Sequence, residues 1–238
     1  MGRPTAGARE ETMSVPASLP PSLRTRVMDA ARAQPSPSRA HVRQAVVRTT
    51  LAGALACLAI FFLFGGFNLT RRPPAFVALT VLGWGAIALL ATWGGVARGR
   101  SMLGRPTGWL VMVALLTVPS LFAWMLVATA NWPELRGTPS ADVHVHVGCF
   151  VATTLLTLGP FVALVLARRQ TDPVHPRATG AAIGAAAGAW GVVMIDLHCP
   201  VSATLHVALA HLGPIALFAL AGAWLGRRFI GIRVSPRE

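Results

Sequence analysis

Residues 107–131 read TGWLVMVALLTVPSLFAWMLVATAN, an apolar stretch that contains no charged side chain. A helix of about 20 residues is long enough to cross the hydrocarbon core of a bilayer, which is about 30 Å thick. In lipid the backbone must satisfy its hydrogen bonds internally, so only helices and closed barrels cross a membrane. The stretch lacks the period-two alternation of polar and apolar residues that a half-buried strand shows. It therefore predicts a transmembrane helix.

The same pattern recurs along the chain. The predicted spans are residues 49–67, 75–97, 107–131, 147–167, 178–197 and 204–226. The sequence thus predicts an all-α fold, a polytopic membrane protein built as a bundle of six transmembrane helices. The bundle takes residues 46–226, residues 1–45 form a short cytoplasmic leader, and residues 227–238 form a basic tail. The connections are too short to fold as a separate catalytic domain, and the sequence has no Walker loop or HExxH motif, so no enzymatic activity is expected.

The basic residues indicate how the bundle is oriented. All 21 are arginines, and all but Arg71, Arg72 and Arg136 lie before the first span, in the second-to-third connection, in the fourth-to-fifth connection or in the tail. Short basic segments stay in the cytoplasm, so both termini are expected inside a bacterial inner membrane. The net charge of +13 would suggest nucleic-acid binding in a soluble protein. Because these arginines flank helix ends, contact with anionic lipid explains the charge, and no direct nucleic-acid binding is expected.

The leader contains one predicted helix. Pro20 and Pro21 precede it and Pro35 follows it, as expected for a helix that proline starts and stops. Its apolar stripe and neighbouring basic residues form a candidate partner-binding segment, composed of Leu19, Leu23, Val27, Met28, Arg24 and Arg26. A helix this short is marginal alone and requires a surface to pack on. That surface is either the membrane or a protein partner.

The fifth span carries glycines at Gly180, Gly184 and Gly188, which form two overlapping GxxxG units. Such a face lets a neighbouring helix approach closely. We expect it to pack within the chain, and a homo-oligomeric seam is the alternative.

Cysteine, histidine and aspartate side chains collect at one predicted face, the end opposite the basic segments. These outer-face residues are His144, His146, Cys149, Asp196, His198, Cys199 and His206. Cys149 and Cys199 could form a disulfide in an oxidising compartment. Alternatively, thiolates and imidazoles could bind a metal such as Zn or Cu, with Asp196 orienting a ligand or supplying one. A third interpretation is that these residues only interact with one another and with water at the interface. His211 lies deeper in the last span and is a separate intramembrane candidate.

The chain resembles the NrsF-like multi-pass anti-sigma factors of proteobacterial inner membranes. The resemblance rests on the six spans, on the two cysteines in the second half, on Leu197-His198-Cys199-Pro200, and on the leader from Leu19 to Met28 followed by Pro35-Ser-Pro-Ser. It implies an anti-sigma factor that sequesters an extracytoplasmic-function sigma factor at the membrane until a stress signal releases it. It also implies that Cys149 and Cys199 matter for signal reception. The alternative function is a small metal-ion transporter, whose entry site would be formed by His144, His146, Cys149, His198, Cys199 and His206.

Overall fold

A computed structural model describes residues 25, 39–68, 72–96, 105–136, 143–169 and 174–231. Within this part of the chain there are six long helices. They are α1 (Arg39–Leu63), α2 (Pro74–Val96), α3 (Thr107–Ala130), α4 (Val143–Ala167), α5 (Pro176–His198) and α6 (Thr204–Phe229). Each contains a segment long and apolar enough to cross a membrane, which in α1 is Gln44–Leu63. The predicted all-α, six-helix membrane bundle is confirmed.

The chain divides into two compact units, Met1–Val42 and Arg43–Glu238. In the first unit, the described residues are Thr25, which is helical and exposed, and the first residues of α1. The second unit contains the rest of the bundle. The connections α1–α2, α3–α4 and α5–α6 all lie at one end of this unit, which we call the outer end because the sequence predicts that it faces away from the cytoplasm.

Proline sets the start of three helices. Pro74 and Pro176 are the first residues of α2 and α5, and Pro106 directly precedes α3. A proline in the first turn is favourable because its missing N–H would have had no partner within the helix, and its fixed φ angle is already helical. At the other end of α5 the backbone N–H of Cys199 donates to the Ile195 carbonyl over 2.7 Å, and Pro200 follows.

Helix α5 is the centre of the bundle. It packs against α2, α3, α4 and α6, and every residue from Ala182 to Ala189 is buried. These residues are alanine and glycine apart from Ile183, so four neighbours can surround the helix at short distance. Helix α1 lies at the edge, where Gly53 and Gly159 bring its backbone against that of α4.

The three glycines of α5 face α6. A Cβ atom at Gly180 would overlap the carbonyl of Gly222, and one at Gly184 would overlap the carbonyl of Phe218. At Gly188 an added Cβ would lie 2.8 Å from the Cα of Ile215. The GxxxG face is therefore occupied by a helix of the same chain.

The sides of the helix bundle, which would face lipid, are apolar. Large side chains exposed there include Leu55, Leu82, Leu115, Leu220 and Trp224, each at least 65% exposed. Such a surface is suited to lipid rather than water. Inside, indole N–H groups join helices: Trp84 of α2 donates to the Leu121 carbonyl of α3 over 2.9 Å. Trp124 of α3 donates back to the Leu79 carbonyl over 3.1 Å.

Helix α6 is irregular where it approaches the outer end. Residues Val207–Leu212 form a π-helical segment, directly before Gly213 and Pro214. Proline has no N–H to donate to a preceding carbonyl, which disturbs the regular α-helical ladder. Residues five apart point in directions about 140° apart in an α-helix, whereas the wider π turn brings them towards one face. His206 and His211 are five apart, and their ring centroids lie 5.0 Å from each other.

Candidate functional site

Four residues from three segments converge at the outer end of the bundle. Cys149 lies in the second turn of α4, and Cys199 directly follows α5. His206 lies in the first turn of α6, and His211 in its π-helical segment. One potential ligand atom from each of the four lies within 4.8 Å of the other three. We call these four residues the cysteine–histidine group.

The contacts within the group are short. The sulfurs of Cys149 and Cys199 are 3.4 Å apart, with the Cys149 thiol donating. The Cys199 sulfur lies 3.3 Å from Nε2 of His206. Both cysteines are free thiols in this structure. The sulfur pair thus links α4 to the α5–α6 connection.

The group is closed to solvent on most sides. His206 and His211 are 0% exposed and Cys199 is 1% exposed, whereas Cys149 is half-buried. Nδ1 of His206 and both ring nitrogens of His211 have no hydrogen-bond partner among the described residues. A buried polar atom without a partner costs about 1–3 kcal/mol. Three such atoms lie beside the two thiols, so the group can accept a further ligand.

The neighbours of the Cys199 thiol lower its pKa. The hydrogen bond from Cys149 and the nearby imidazoles of His206 and His211 hold the pKa of Cys199 below its ordinary value, against the opposing effect of burial. The thiolate is the form of cysteine that attacks electrophiles and binds metals. Cys57 differs: it is buried in α1 among apolar residues that include Phe61 and Leu156.

Two further histidines lie on α4 near this group. The His146 ring packs edge-on against His206, with centroids 4.8 Å apart, and is half-buried. It therefore lies between the group and the surface. His144 is exposed one half-turn earlier and is outside the four-residue group.

Asp196 has a different environment from the one that its sequence position suggested. Its carboxylate accepts hydrogen bonds from Arg72 over 2.6 Å and from the Thr80 hydroxyl over 2.7 Å. Arg72 also donates to the Asp196 backbone carbonyl. Both charged side chains are almost fully buried. Asp196 thus joins α5 to α2 and to the residues that precede it, and it is not among the four potential ligands.

His198 connects α5 to the α1–α2 connection. Its Nδ1 lies 2.9 Å from the Gly66 carbonyl, and the backbone N–H of Asn68 donates to the Leu197 carbonyl over 3.1 Å. Gly65 and Gly66 have φ angles of 101° and 66°, which residues other than glycine rarely adopt. This turn brings the connection against the end of α5.

The candidate partner-binding residues of the leader lie outside the described residues. They are Leu19, Leu23, Arg24, Arg26, Val27 and Met28.

A family model described as NrsF, negative regulator of sigma F, matches residues 30–231. The matched region contains all six helices and the cysteine–histidine group. The chain belongs to the NrsF family. The resemblance identified in the sequence is therefore confirmed.

One relative of this NrsF-family chain is a protein of Azospira oryzae described as a probable anti-sigma-F factor NrsF. The two are 26% identical over 132 residues, which is 53% of this chain and 60% of the relative. The aligned part therefore spans less than two thirds of the relative's length. No solved structure matches this chain. The leader residues 19–28 precede the region that matches the NrsF family model.

Two contributions to the site were not predicted from the NrsF-family sequence. His211 was considered separately from the cysteines, because it lies about one and a half turns deeper than His206 in the last span. The signal that could have placed it was Pro214, since a proline three residues later disturbs the helix there. Arg72 was assigned to the exposed connection between α1 and α2. The single acidic residue within the predicted spans, Asp196, could have indicated that it has a cationic partner.

Proposed function

We propose that this chain is a membrane-bound anti-sigma factor. It would hold an extracytoplasmic-function sigma factor at the cytoplasmic face of a bacterial inner membrane and release it on a stress signal. The observation that carries this proposal is the match of residues 30–231 to the family of negative regulators of sigma F. The arginine distribution supports a cytoplasmic N terminus, which is where a sigma factor would be reached. A role in regulation rather than catalysis agrees with the short connections between the helices.

The leader is the proposed sigma-binding segment. Its stripe of Leu23 and Val27 would enter an apolar groove of the partner, as an amphipathic helix does. Burying two such side chains contributes about 3–6 kcal/mol, which corresponds to a change of about 10²–10⁴ in Kd. Arg24 and Arg26 would contact acidic groups at the rim of that groove.

A two-hybrid matrix of the full chain against the extracytoplasmic-function sigma factors of the source bacterium tests this proposal. We expect one sigma factor to pair, and we expect the double variant Leu23→Asp, Val27→Asp to abolish the pairing. The matched control is Thr25→Asp, which adds charge to an exposed position of the same helix. Equal pairing by the double variant would refute the leader as the site, and a matrix without any partner would refute the anti-sigma function.

We further propose that the signal is received at the cysteine–histidine group. The short contact between Cys149 and Cys199 joins α4 to the α5–α6 connection, so chemistry at either sulfur changes how these segments are held. The residues packed beneath the group, including Val192, Leu212 and Ile215, are apolar. Among the described residues no ligand path continues inward, which favours a receptor over the alternative of a metal transporter.

A sigma-dependent reporter tests signal reception. Cys149→Ser and Cys199→Ser should give the same signalling defect, because each removes one member of the pair. Cys57→Ser is the matched control and should be nearly silent, since Cys57 is buried in α1 and is not among the four potential ligand residues. Normal induction in both of the first two variants would place the sensor elsewhere.

A further inference from the structure

The cysteine–histidine group has the composition of a metal site. Two sulfurs and two imidazoles are the ligands that zinc and similar d¹⁰ ions prefer, and four of them complete a tetrahedron. The three segments that supply them each contribute at a helix end or at an irregular turn. Such positions can adjust their backbone to a ligand more easily than the middle of a regular helix.

The distances are close to those of a ligated ion. In a tetrahedral zinc site with bonds of about 2.3 Å to sulfur and 2.0–2.1 Å to nitrogen, ligand atoms lie about 3.3–3.8 Å apart. Here the two sulfurs are 3.4 Å apart and the Cys199 sulfur is 3.3 Å from Nε2 of His206. The whole set, including His211, is within 4.8 Å. Small side-chain movements would therefore surround one ion.

The buried histidines provide a second, independent indication. His211 is fully buried, and neither of its ring nitrogens has a hydrogen-bond partner among the described residues. Coordination through Nε2 of His206 and one ring nitrogen of His211 would give His211 the partner that it lacks. A disulfide between Cys149 and Cys199 would account for the two sulfurs alone and would leave the imidazole nitrogens without a partner.

Charge selects the type of ion. Two thiolates and two neutral imidazoles carry a charge of about −2, so a divalent cation gives an electroneutral site, which is the favourable state in a buried, low-dielectric environment. A monovalent ion would leave a buried negative charge. The carboxylate of Asp196 is already held by Arg72 and Thr80, so no hard oxygen ligand of the kind that suits Mg²⁺ or Ca²⁺ belongs to the group.

We propose that Cys149, Cys199, His206 and His211 form a closed tetrahedral site for one divalent d¹⁰ cation of the zinc class. On binding, the thiols that are still protonated release their protons to water. Half-buried Cys149 and His146 mark the side from which the ion enters. The regulatory meaning of this site rests on the proposed function, whereas metal binding itself does not depend on it.

Metal titration of the full-length protein, reduced and purified in detergent, tests the site. We expect one zinc ion per chain, and we expect Co²⁺ to give the visible bands of a tetrahedral site together with a thiolate charge-transfer band that Zn²⁺ abolishes. Added Zn²⁺ should also protect Cys149 and Cys199 of the wild-type protein from maleimide. Reduced protein that binds no zinc, or an octahedral cobalt spectrum, would overturn the proposal.

Variants identify the ligands. Loss of a residue that only supports a metal ligand weakens metal binding about 10–100-fold. Cys199→Ser and His211→Asn should each weaken zinc binding by more than this. Cys57→Ser and His144→Asn, which change the same residue types outside the group, should bind as the wild type does. Monodisperse extraction and an unchanged thermal transition would show that each variant is folded. Wild-type affinity in His211→Asn would exclude His211 and with it the tetrahedral site.

The two proposals fail separately. Sigma-factor pairing without zinc binding would refute the metal site and support the anti-sigma function. Zinc binding without any sigma-factor partner would support the metal site and refute the anti-sigma function.

Discussion

Arg72 and Asp196 place two opposite charges in the interior of a lipid-facing bundle. Taking charges out of water is costly, and their attraction compensates only if the geometry is good and the remaining polar atoms are bonded. Here the carboxylate has both Arg72 and Thr80 as donors, and the arginine reaches the backbone carbonyl of Asp196 as well. Loss of one partner would leave the other charge buried alone.

Asp196→Ala should therefore lower the free energy of unfolding by about 3–5 kcal/mol. Unfolding by SDS titration in mixed micelles would measure this change. The matched control is Glu134→Ala, an exposed acidic residue at the same end of the bundle, which should change the free energy by no more than about 0.5 kcal/mol. The double variant Arg72→Met, Asp196→Leu should recover part of the loss. Unchanged stability of Asp196→Ala would show that the pair is not structurally important.

The sequence predicted most of the polar residues at the outer end, but not which of them contact one another. Cys149, Cys199, His146 and His206 were predicted to lie close together, and the structure brings them together. Asp196 and His198 were predicted in the same set because they lie within three residues of Cys199 in sequence. Cys199 has an extended backbone and lies beyond the helix, whereas Asp196 and His198 are helical: Asp196 reaches α2 and His198 reaches the α1–α2 connection. Their partners, Arg72 and the Gly66 carbonyl, are distant in sequence and could not be inferred from spacing.

At the scale of elements, the α5–α6 pair is the most tightly packed part of the bundle. Backbone contact between two helices requires that neither has a side chain at the crossing, and Gly180 with Gly222 meets this condition. Close approach strengthens van der Waals contact, which is the main attraction between helices in lipid.

Gly184→Ala should destabilise the bundle, because the added Cβ would overlap the carbonyl of Phe218, which is backbone and cannot rotate away. Overpacking of this kind costs about 1–3 kcal/mol. Gly85→Ala in α2 is the matched control: a Cβ there meets nothing within 4 Å, so the variant should be neutral or slightly more stable. SDS unfolding compares the two, and equal stability would contradict the close α5–α6 packing.

Apolar length is a strong signal in membrane proteins, and it predicted most helix bounds to within a few residues. The exception is α1, which begins at Arg39, well before the predicted start at residue 49. Composition did not predict the irregular start of α6, although Pro214 lies within the predicted span. Proline indicates a disturbed helix but does not specify whether the helix bends or widens. The structure shows a widened, π-helical turn at Val207–Leu212, and this choice decides where His211 points. The contact of Gly53 with Gly159 was likewise hidden, since single glycines give no repeating pattern.

At the scale of the whole molecule, charge is distributed unevenly between the two ends. Arg72 lies at the outer end, against the general trend of the arginines, and the structure pairs it with Asp196. Its charge is compensated, so it opposes the predicted orientation less than an uncompensated arginine would. At the opposite end the Arg105 guanidinium lies over the rings of Trp93 and Trp109, at 4.8 and 5.4 Å from their centroids.

Reporter fusions should show the predicted orientation. Alkaline phosphatase fused after Glu134 should be active, whereas fusions after Arg177 and at the C terminus should be inactive, because short basic segments are expected to remain in the cytoplasm. Fluorescent-protein fusions at the same positions should give the inverse pattern and thereby control for expression. Phosphatase activity after Arg177 would reverse the topology and place the cysteine–histidine group in the cytoplasm.

The contacts between α5 and α6 run from Gly188 against Ile215 near the middle of the membrane to Gly226 against Pro176 at the inner end. Because the glycines of α5 repeat every four residues, sliding to the next register would require a step of about 6 Å along the axis. Smaller sliding movements would drive backbone into backbone. Sliding of α6 along α5 is therefore opposed over this length, and a change at the outer end would reach Arg227 and Arg228 only if the two helices tilted together.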